Sequence, residues 1–257
     1  MVLIIPIPMF EKIKNKRVLI TGASSGIGAC TAELFASYGA TVGIHYNTGD
    51  KDAEDLGKKI SNRFSSPVMI KADLLNPDQR DRIVQTFIDE TGGIDVLVNN
   101  AGAIIGTQHF LKMDTDSWNK TLNLNLTAPF FLARSAFSSM KDNGSGRIIS
   151  ISSIAAKYGG SASSIHYGAA KAGIEAVTRT LAREGAQYNI LVNAIAPGVI
   201  ETEFHKKIGR SSLEVRVTSI PVKRAGKPID IARLCVFLAS EGGDYITGQV
   251  YGVTGGD

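Results

Sequence analysis

From residue 17 onward the chain alternates two kinds of pattern. Short, nearly continuous apolar runs occupy Arg17–Thr21, Ala40–Tyr46, Pro67–Lys71, Asp95–Asn99, Gly146–Ile151, Ile190–Ala194 and Gln249–Val253. They are rich in Val and Ile, as strands buried on both faces are. Between them, apolar residues recur at helical spacing over Gly28–Tyr38, Asp50–Phe64, Pro77–Thr91, Ser117–Lys141, Tyr167–Tyr188 and Ile229–Ser240. Strands alternating with helices predict an α/β fold, a doubly wound parallel sheet of mostly seven strands with helices on both faces. No linker, repeat or low-complexity stretch interrupts the pattern, which predicts a single domain over residues 16–257. Residues 1–15 stand outside it as an N-terminal arm or a start assigned too early, with Met9 an equally good beginning. Sheets of this kind bind ligands beyond the carboxyl ends of their strands. The loops after residues 21, 46, 71, 99, 151 and 194 are therefore expected to open onto one crevice.

Composition narrows the chemistry. The 257 residues are 44% hydrophobic and 20% charged, with a net charge of +4. That balance supports a large core and is too weak and dispersed for a nucleic-acid partner. Cys30 and Cys235, the only cysteines, lie in apolar helical patterns and read as buried thiols in a reducing, cytoplasmic setting. The histidines, His45, His109, His166 and His205, have no partners at metal-ligand spacing, so no metal is expected. The apolar N-terminal stretch is too short to span a bilayer, holds two prolines and lacks a basic start and cleavage site, so neither membrane nor secretion is implied.

The first strand runs directly into Thr21-Gly22-Ala23-Ser24-Ser25-Gly26-Ile27-Gly28. Glycines between a strand and a helix give a tight turn with bare backbone at a helix N-terminus, where N–H groups and the helix dipole favour a pyrophosphate. The G-x3-G-x-G spacing departs from the usual G-x-G-x-x-G fingerprint. Further along come Asn99-Asn100-Ala101-Gly102 after the fourth strand, Asn125-Leu126-Thr127, and Ser153 after the fifth strand. Then follow Tyr167-Gly168-Ala169-Ala170-Lys171 and Pro197-Gly198, with Thr202 beyond it. Chance alone supplies about 0.4 Tyr-x-x-x-Lys pairs in such a chain; the order and placement of the whole set carry more weight.

These segments resemble the short-chain dehydrogenase/reductase family over nearly all of residues 16–256. The likeness is greatest to its 3-oxoacyl-(acyl-carrier-protein) reductases, including the His45-Tyr46-Asn47 segment and the stretch from Arg224 to Ala232. The resemblance implies a Rossmann-type fold, a nicotinamide dinucleotide cofactor, and interconversion of a carbonyl and a secondary alcohol by hydride transfer. It implies Asn125, Ser153, Tyr167 and Lys171 as the catalytic set. For the cofactor it implies Gly22, Ser24, Ser25, Gly26, Ile27, Gly28, Tyr46, Asn47, Asp73, Leu74, Asn100, Ala101, Gly102, Tyr167, Lys171, Pro197, Gly198, Ile200 and Thr202. In the family reading Lys171 also binds the nicotinamide ribose, Ser153 orients the substrate oxygen, and Asn125 holds a water leading from Lys171 to solvent. Ser152 is the rival to Ser153 by position. The family also implies a homo-oligomer, a tetramer, formed through the long Ser117–Lys141 and Tyr167–Tyr188 segments. One departure is a Ser153-to-Tyr167 spacing longer by one residue, which the Gly- and Ser-rich Ala155–His166 segment can absorb.

The residue types suit the reaction. Tyr167 and Lys171, four apart on a helix, share a face. Reducing a carbonyl needs a proton donor; oxidising an alcohol needs a base. Lowering a tyrosine pKa from about 10 by roughly three units requires about 4 kcal/mol of preference for phenolate. A cation at about 4 Å supplies about that at an effective dielectric near 20, and Lys171 is expected to be that cation. At the end of the second strand Tyr46 stands where NAD users need a carboxylate, which favours NADP(H), with NAD(H) possible. Ser25 replaces a common basic residue and Lys51 is distant, so basic support for a 2′-phosphate is thin. Three alternatives remain: a dehydrogenase for a free ketone, sugar or steroid-like alcohol; a dinucleotide-binding regulator without turnover; and an enoyl reductase. The last requires a longer Tyr-to-Lys spacing, and Ile174 stands seven residues after Tyr167. Around the fifth strand Asn143-Gly144-Ser145-Gly146, with Lys141 and Arg147 flanking, and Arg183 with Gln187-Tyr188 on the catalytic helix, predict only a weak basic patch beside the active-site mouth for an acidic carrier protein.

Overall fold

The computed structural model describes residues 10–204 and 214–257. Its core is a seven-stranded sheet in the order β3-β2-β1-β4-β5-β6-β7, with every pairing parallel. The strands are β1 (Arg17–Ile20), β2 (Thr41–Tyr46), β3 (Val68–Lys71), β4 (Val96–Asn99), β5 (Gly146–Ile151), β6 (Ile190–Pro197) and β7 (Val250–Val253). The order reverses between β1 and β4, which is where a doubly wound sheet opens its ligand crevice. The continuous apolar runs reflect double-sided burial: every residue of β4 and β6 is buried.

One face of the sheet is covered by α1 (Gly26–Ser37) and α9 (Pro228–Ala239), whose Phe35 and Cys235 pack with Val18, Ile44 and Val98. The other carries α3 (Pro77–Thr91), α5 (Ala128–Asp142) and α7 (Ile165–Gly185), with Phe87, Leu132 and Met140 against Leu19, Leu97 and Ile148. α2 (Asp50–Ser61), which follows β2, adds Leu56 and Ile60 to the first of these faces. Cys235 is buried as expected, whereas Cys30 is only partly so.

Three departures from the sequence pattern have a clear physical cause. β6 runs three residues beyond Ala194 because Ile195, Ala196 and Pro197 continue the ladder with Tyr251, Gly252 and Val253. The expected Ser117–Lys141 helix begins earlier and divides into α4 (Thr115–Leu122), a π-helical turn over Asn123–Thr127, and α5. Asp114 caps α4 by accepting from the Ser117 N–H at 2.7 Å. Pro129 lacks the N–H that would bond the carbonyl four residues back, at Asn125, so the regular ladder has to change there. Residues 10–15, within the stretch read as an arm or a start assigned too early, pack on the body. Ile13 is fully buried, Phe10 meets Tyr38 at 5.1 Å between ring centroids, and the Asn15 N–H donates to the Gly39 carbonyl at 2.9 Å. Residues 1–9 of the proposed arm, and residues 205–213 with His205 among them, lie outside the described residues.

Candidate active site

The loops at the carboxyl ends of the strands meet in a crevice of about 470 Å³ above β1 and β4. Its floor is the glycine turn. Gly22 has φ +61°, and a Cβ there would stand 2.8 Å from the Ala101 Cα, so only glycine lets the β1 and β4 loops touch. A Cβ on Gly28 would lie 2.4 Å from the Gly22 carbonyl oxygen and 2.6 Å from Asn100 Nδ2. Side chains stitch the two loops together. Thr21 Oγ1 accepts from the Asn100 and Ala101 N–H groups, each at 3.0 Å. Asn100 Nδ2 donates to the Thr21 and Gly22 carbonyls at 2.8 and 2.9 Å. Ser25 stands at the N-cap of α1 without making a side-chain cap. The first-turn N–H groups have no intrahelical partner, so they are available to a phosphate. This clearance and open helix end fit a dinucleotide pyrophosphate.

Most residues expected at the cofactor line this crevice: Gly22, Ser24, Ser25, Gly26 and Ile27 below; Tyr46, Asn47, Asp73 and Leu74 at one end; Asn100, Ala101, Gly102, Tyr167, Lys171 and Thr202 towards the other. No carboxylate ends β2: Tyr46 stands there, in register with Lys71 of β3. The Lys71 ammonium pairs with Asp50 of α2 at 2.6 Å.

A second pocket, of about 210 Å³, adjoins the first and shares Tyr167, Ser152, Ile104 and Phe204 with it. Ser153, Pro197 and Gly198 line this pocket, with Ala155 and Tyr158 of the short α6 (Ala155–Tyr158), Ser161 and Ser164, whose hydroxyls bond each other at 2.9 Å, and Arg216 of α8 (Glu214–Ser219), whose guanidinium pairs with Asp257 at 3.6 Å. Tyr167 thus stands where both spaces meet, with a hydrogen bond to Ser153. The two serines point in different directions. Ser152 Oγ turns to α7, bonding the Lys171 carbonyl at 3.2 Å and Glu175 Oε1 at 2.8 Å, while Ser153 Oγ accepts from the Ala155 N–H at 3.1 Å and bonds Tyr167.

Lys171 lies one turn from Tyr167, its Nζ 5.5 Å from the centre of the tyrosine ring and donating to the Ile151 carbonyl at 2.7 Å. Burial pushes the ammonium down to about 8. The expected deep depression of Tyr167 by that cation does not arise from the protein groups alone. Burial pushes the phenol up to about 12, against the opposing hydrogen bond from Ser153. The phenol is therefore neutral at physiological pH, which suits a proton donor.

Three expected residues stand outside the two cavities. Gly28 supports the glycine turn from beneath. Ile200 is buried in the core and bridges to Gly226 through its backbone. Asn125, central in the π turn, is fully buried; its Nδ2 donates to the Ala103 and Thr121 carbonyls at 2.7 and 2.8 Å. Its Oδ1 has no partner and points to the space above Gly102, where a Cβ would be 2.6 Å from it and 3.3 Å from Lys171 Nζ. The residues considered for a carrier patch are a correction. Asn143–Arg147 and the end of α7 lie at the amino ends of the strands, opposite the crevice, because the sheet is wholly parallel. Ser145, Gly146 and Arg147 line a separate hollow there with Lys12, Lys16 and Asp95. The sequence pattern also missed His45, Arg216, Ser161 and Ser164 as lining residues. For His45 a signal existed: a lone polar side chain within the apolar run of β2.

Comparison with known proteins agrees with this geometry. The family described as enoyl-(acyl carrier protein) reductase matches residues 22–257. The 3-oxoacyl-(acyl-carrier-protein) reductase FabG of Thermotoga maritima is 38% identical, across 95% of this chain and 98% of that one. The FabG of Chlamydia trachomatis is also 38% identical, across 94% and 97%. Among solved structures, a putative NAD(P)-dependent gluconate 5-dehydrogenase from Beutenbergia cavernae, with NADP bound at low occupancy, superposes with a TM-score of 0.88 at 32% identity, covering 95% of this chain and 96% of that one. A short-chain type dehydrogenase/reductase from Mycobacterium marinum gives a TM-score of 0.88 at 30% identity, covering 96% and 97%.

Proposed function

The chain belongs to the short-chain dehydrogenase/reductase family, and from that premise we propose that it uses NADP(H) to reduce the ketone of a 3-oxoacyl thioester to a secondary alcohol. The observation that carries this reading is the position of Tyr167, hydrogen-bonded to Ser153, where the dinucleotide-sized crevice meets the smaller pocket. The bound nicotinamide supplies the hydride. Ser153 holds the ketone oxygen by a hydrogen bond, and Tyr167 gives its proton to that oxygen as charge develops. Lys171, tied to the end of β5, holds positive charge beside the phenol and would contact the ribose of a bound cofactor. Asn125 Oδ1 and Lys171 Nζ face the same space above Gly102, where a water would carry the replacement proton. Gly22, Ser24 to Gly26 and the open end of α1 would hold the pyrophosphate, and Asp73 with Leu74 would hold the adenine. An acid-free end to β2 at Tyr46 favours the 2′-phosphate of NADP(H). The chain assembles as a homotetramer through α4–α5 and α7 on this reading.

The ketone reading is preferred to enoyl reduction, despite the description attached to the matching family, because Tyr167 and Lys171 share a helical face at the four-residue spacing. A second reading takes a free polar ketone instead of a thioester. It is favoured by the polar lining that Ser161, Ser164 and Arg216 give the pocket, which suits an oxygen-rich substrate better than a bare acyl chain. One solved relative is named a putative gluconate 5-dehydrogenase. An NADPH-oxidation screen separates the two. A 3-oxoacyl group on a short thiol mimic should be turned over nearly as well as on carrier protein, and better than any sugar acid. Preference for a keto-sugar acid, lost in Arg216→Ala, would replace the thioester reading with the second.

A further inference from the structure

We propose that His45 is a positioning residue of the cofactor crevice, joining the glycine turn to the loop after β3 and so fixing the spacing between the pyrophosphate and adenine ends; this rests on the dinucleotide reading above. His45 is 1% exposed and lies between apolar neighbours in β2, where packing alone asks for an aliphatic side chain. Its ring makes two bonds to backbone groups of different loops. Nδ1 accepts from the Gly22 N–H at 3.2 Å. That bond leaves the ring proton on Nε2, which donates to the Ala72 carbonyl at 3.1 Å. The residue's own carbonyl accepts from the Ala23 N–H at 2.8 Å, so one residue holds two successive N–H groups of the turn.

The two groups it joins are well chosen for control of a ligand. Gly22 sits in the left-handed region, a conformation glycine can leave easily, and its N–H is held only while an acceptor faces it. Ala72 immediately precedes Asp73 and Leu74, which line the adenine end of the crevice. Burial pushes the imidazole down to about 4, which keeps the neutral, accepting form in place at physiological pH. Replacing the ring by an aliphatic side chain would leave a buried N–H and a buried C=O unpaired, and each would seek another arrangement. The turn would then have to be ordered by the ligand, at a cost in affinity.

The test measures NADPH binding by fluorescence or calorimetry for the wild-type enzyme, His45→Leu and His45→Asn, alongside steady-state kinetics. His45→Leu should weaken NADPH binding about tenfold, with a matching rise in the cofactor KM, while kcat at saturation and the ketone KM stay within about twofold. His45→Asn, whose Oδ1 can accept from the Gly22 N–H, should recover part of the loss. Wild-type affinity in a folded His45→Leu overturns the proposal, as does a fall confined to kcat, or an Asn variant as weak as Leu. Should His45→Leu fail to fold, His45→Asn and His45→Gln carry the test, each keeping one of the two bonds. Both should bind more weakly than wild type, and wild-type affinity in both overturns the proposal. A wild-type enzyme that binds no dinucleotide removes the cofactor reading itself, and this inference with it.

Discussion

The cofactor crevice and the substrate pocket meet at Tyr167 but are built from different materials. The crevice is made mainly of backbone: a glycine turn that tolerates no Cβ at Gly22 or Gly28, carbonyls and N–H groups tied by Thr21, His45 and Asn100, and an open helix end. The pocket is made of side chains on loops and a short helix, Ser161, Ser164, Phe204 and Arg216. A backbone site is constrained by sterics at every residue and so holds one ligand class. A side-chain site can change its ligand without disturbing the fold. The contrast explains why the redox reaction is well defined by the chain while the ketone is the more variable part.

The largest effect is expected at the junction. Tyr167→Phe removes the proton donor but little packing, so turnover should fall about 10²- to 10⁴-fold with NADPH affinity changed only a few-fold. A variant that keeps most of its rate would detach Tyr167 from the chemistry and leave the two cavities without a shared residue of consequence.

Next comes the crevice itself. In Gly28→Ala the new methyl would press on the Gly22 carbonyl and the Asn100 amide. It should cost about 1–3 kcal/mol of stability in thermal or urea unfolding and lose most NADPH binding. In the pocket, Arg216→Ala should leave both quantities nearly unchanged. Equal sensitivity at the two positions would break the contrast.

A smaller, pH-dependent effect sharpens the assignment at the junction. Lys171 carries its charge below about 8 and loses it above, because burial lowers its pKa, whereas Tyr167 stays protonated to about 12. Ketone reduction should therefore decline as pH rises through about 8. In Lys171→Arg, whose guanidinium stays charged above about 12, the activity that remains should show no such decline. The same inflection in that variant would move the titration to another group.

The smallest expected effect concerns the adenine end. NADP(H) should bind about tenfold more tightly than NAD(H), since no carboxylate closes β2, which ends at Tyr46. Equal affinities, or a preference for NAD(H) in a calorimetric titration, would remove the argument from Tyr46 and Asn47.

The contrast also marks what could be read from residues alone. Strands buried on both faces announce themselves as apolar runs, so their positions followed within a residue or two, except at β6. There the extra pairs with β7 depend on a partner far along the chain. The glycine turn was legible because few other needs explain glycines between a strand and a helix. The π turn was harder: Pro129 signalled a break, but the compensation by Asn125 depends on carbonyls of Ala103 and Thr121. His45 looked like one more residue of a strand, since its partners, Gly22 and Ala72, adjoin it only after β1, β2 and β3 align. Two kinds of error lay in reasoning rather than signal. The residues ahead of β5 cannot flank a crevice at the strands' carboxyl ends. And the cation beside Tyr167 does not overcome the burial of the phenol: the Lys171 Nζ stands 5.5 Å from the ring centre and donates to the Ile151 carbonyl.

The central claim is that this site reduces a carbonyl, and a paired assay tests it most directly. Wild-type enzyme with NADPH is given either a 3-oxoacyl or a trans-2-enoyl thioester of the same chain length, with cofactor oxidation followed optically and the product identified by mass spectrometry. The account predicts a 3-hydroxyacyl product from the first and no reduction of the second. Faster reduction of the enoyl thioester to a saturated product, or oxidation of NADPH by neither this ketone nor any other in an enzyme that binds NADPH, would contradict it.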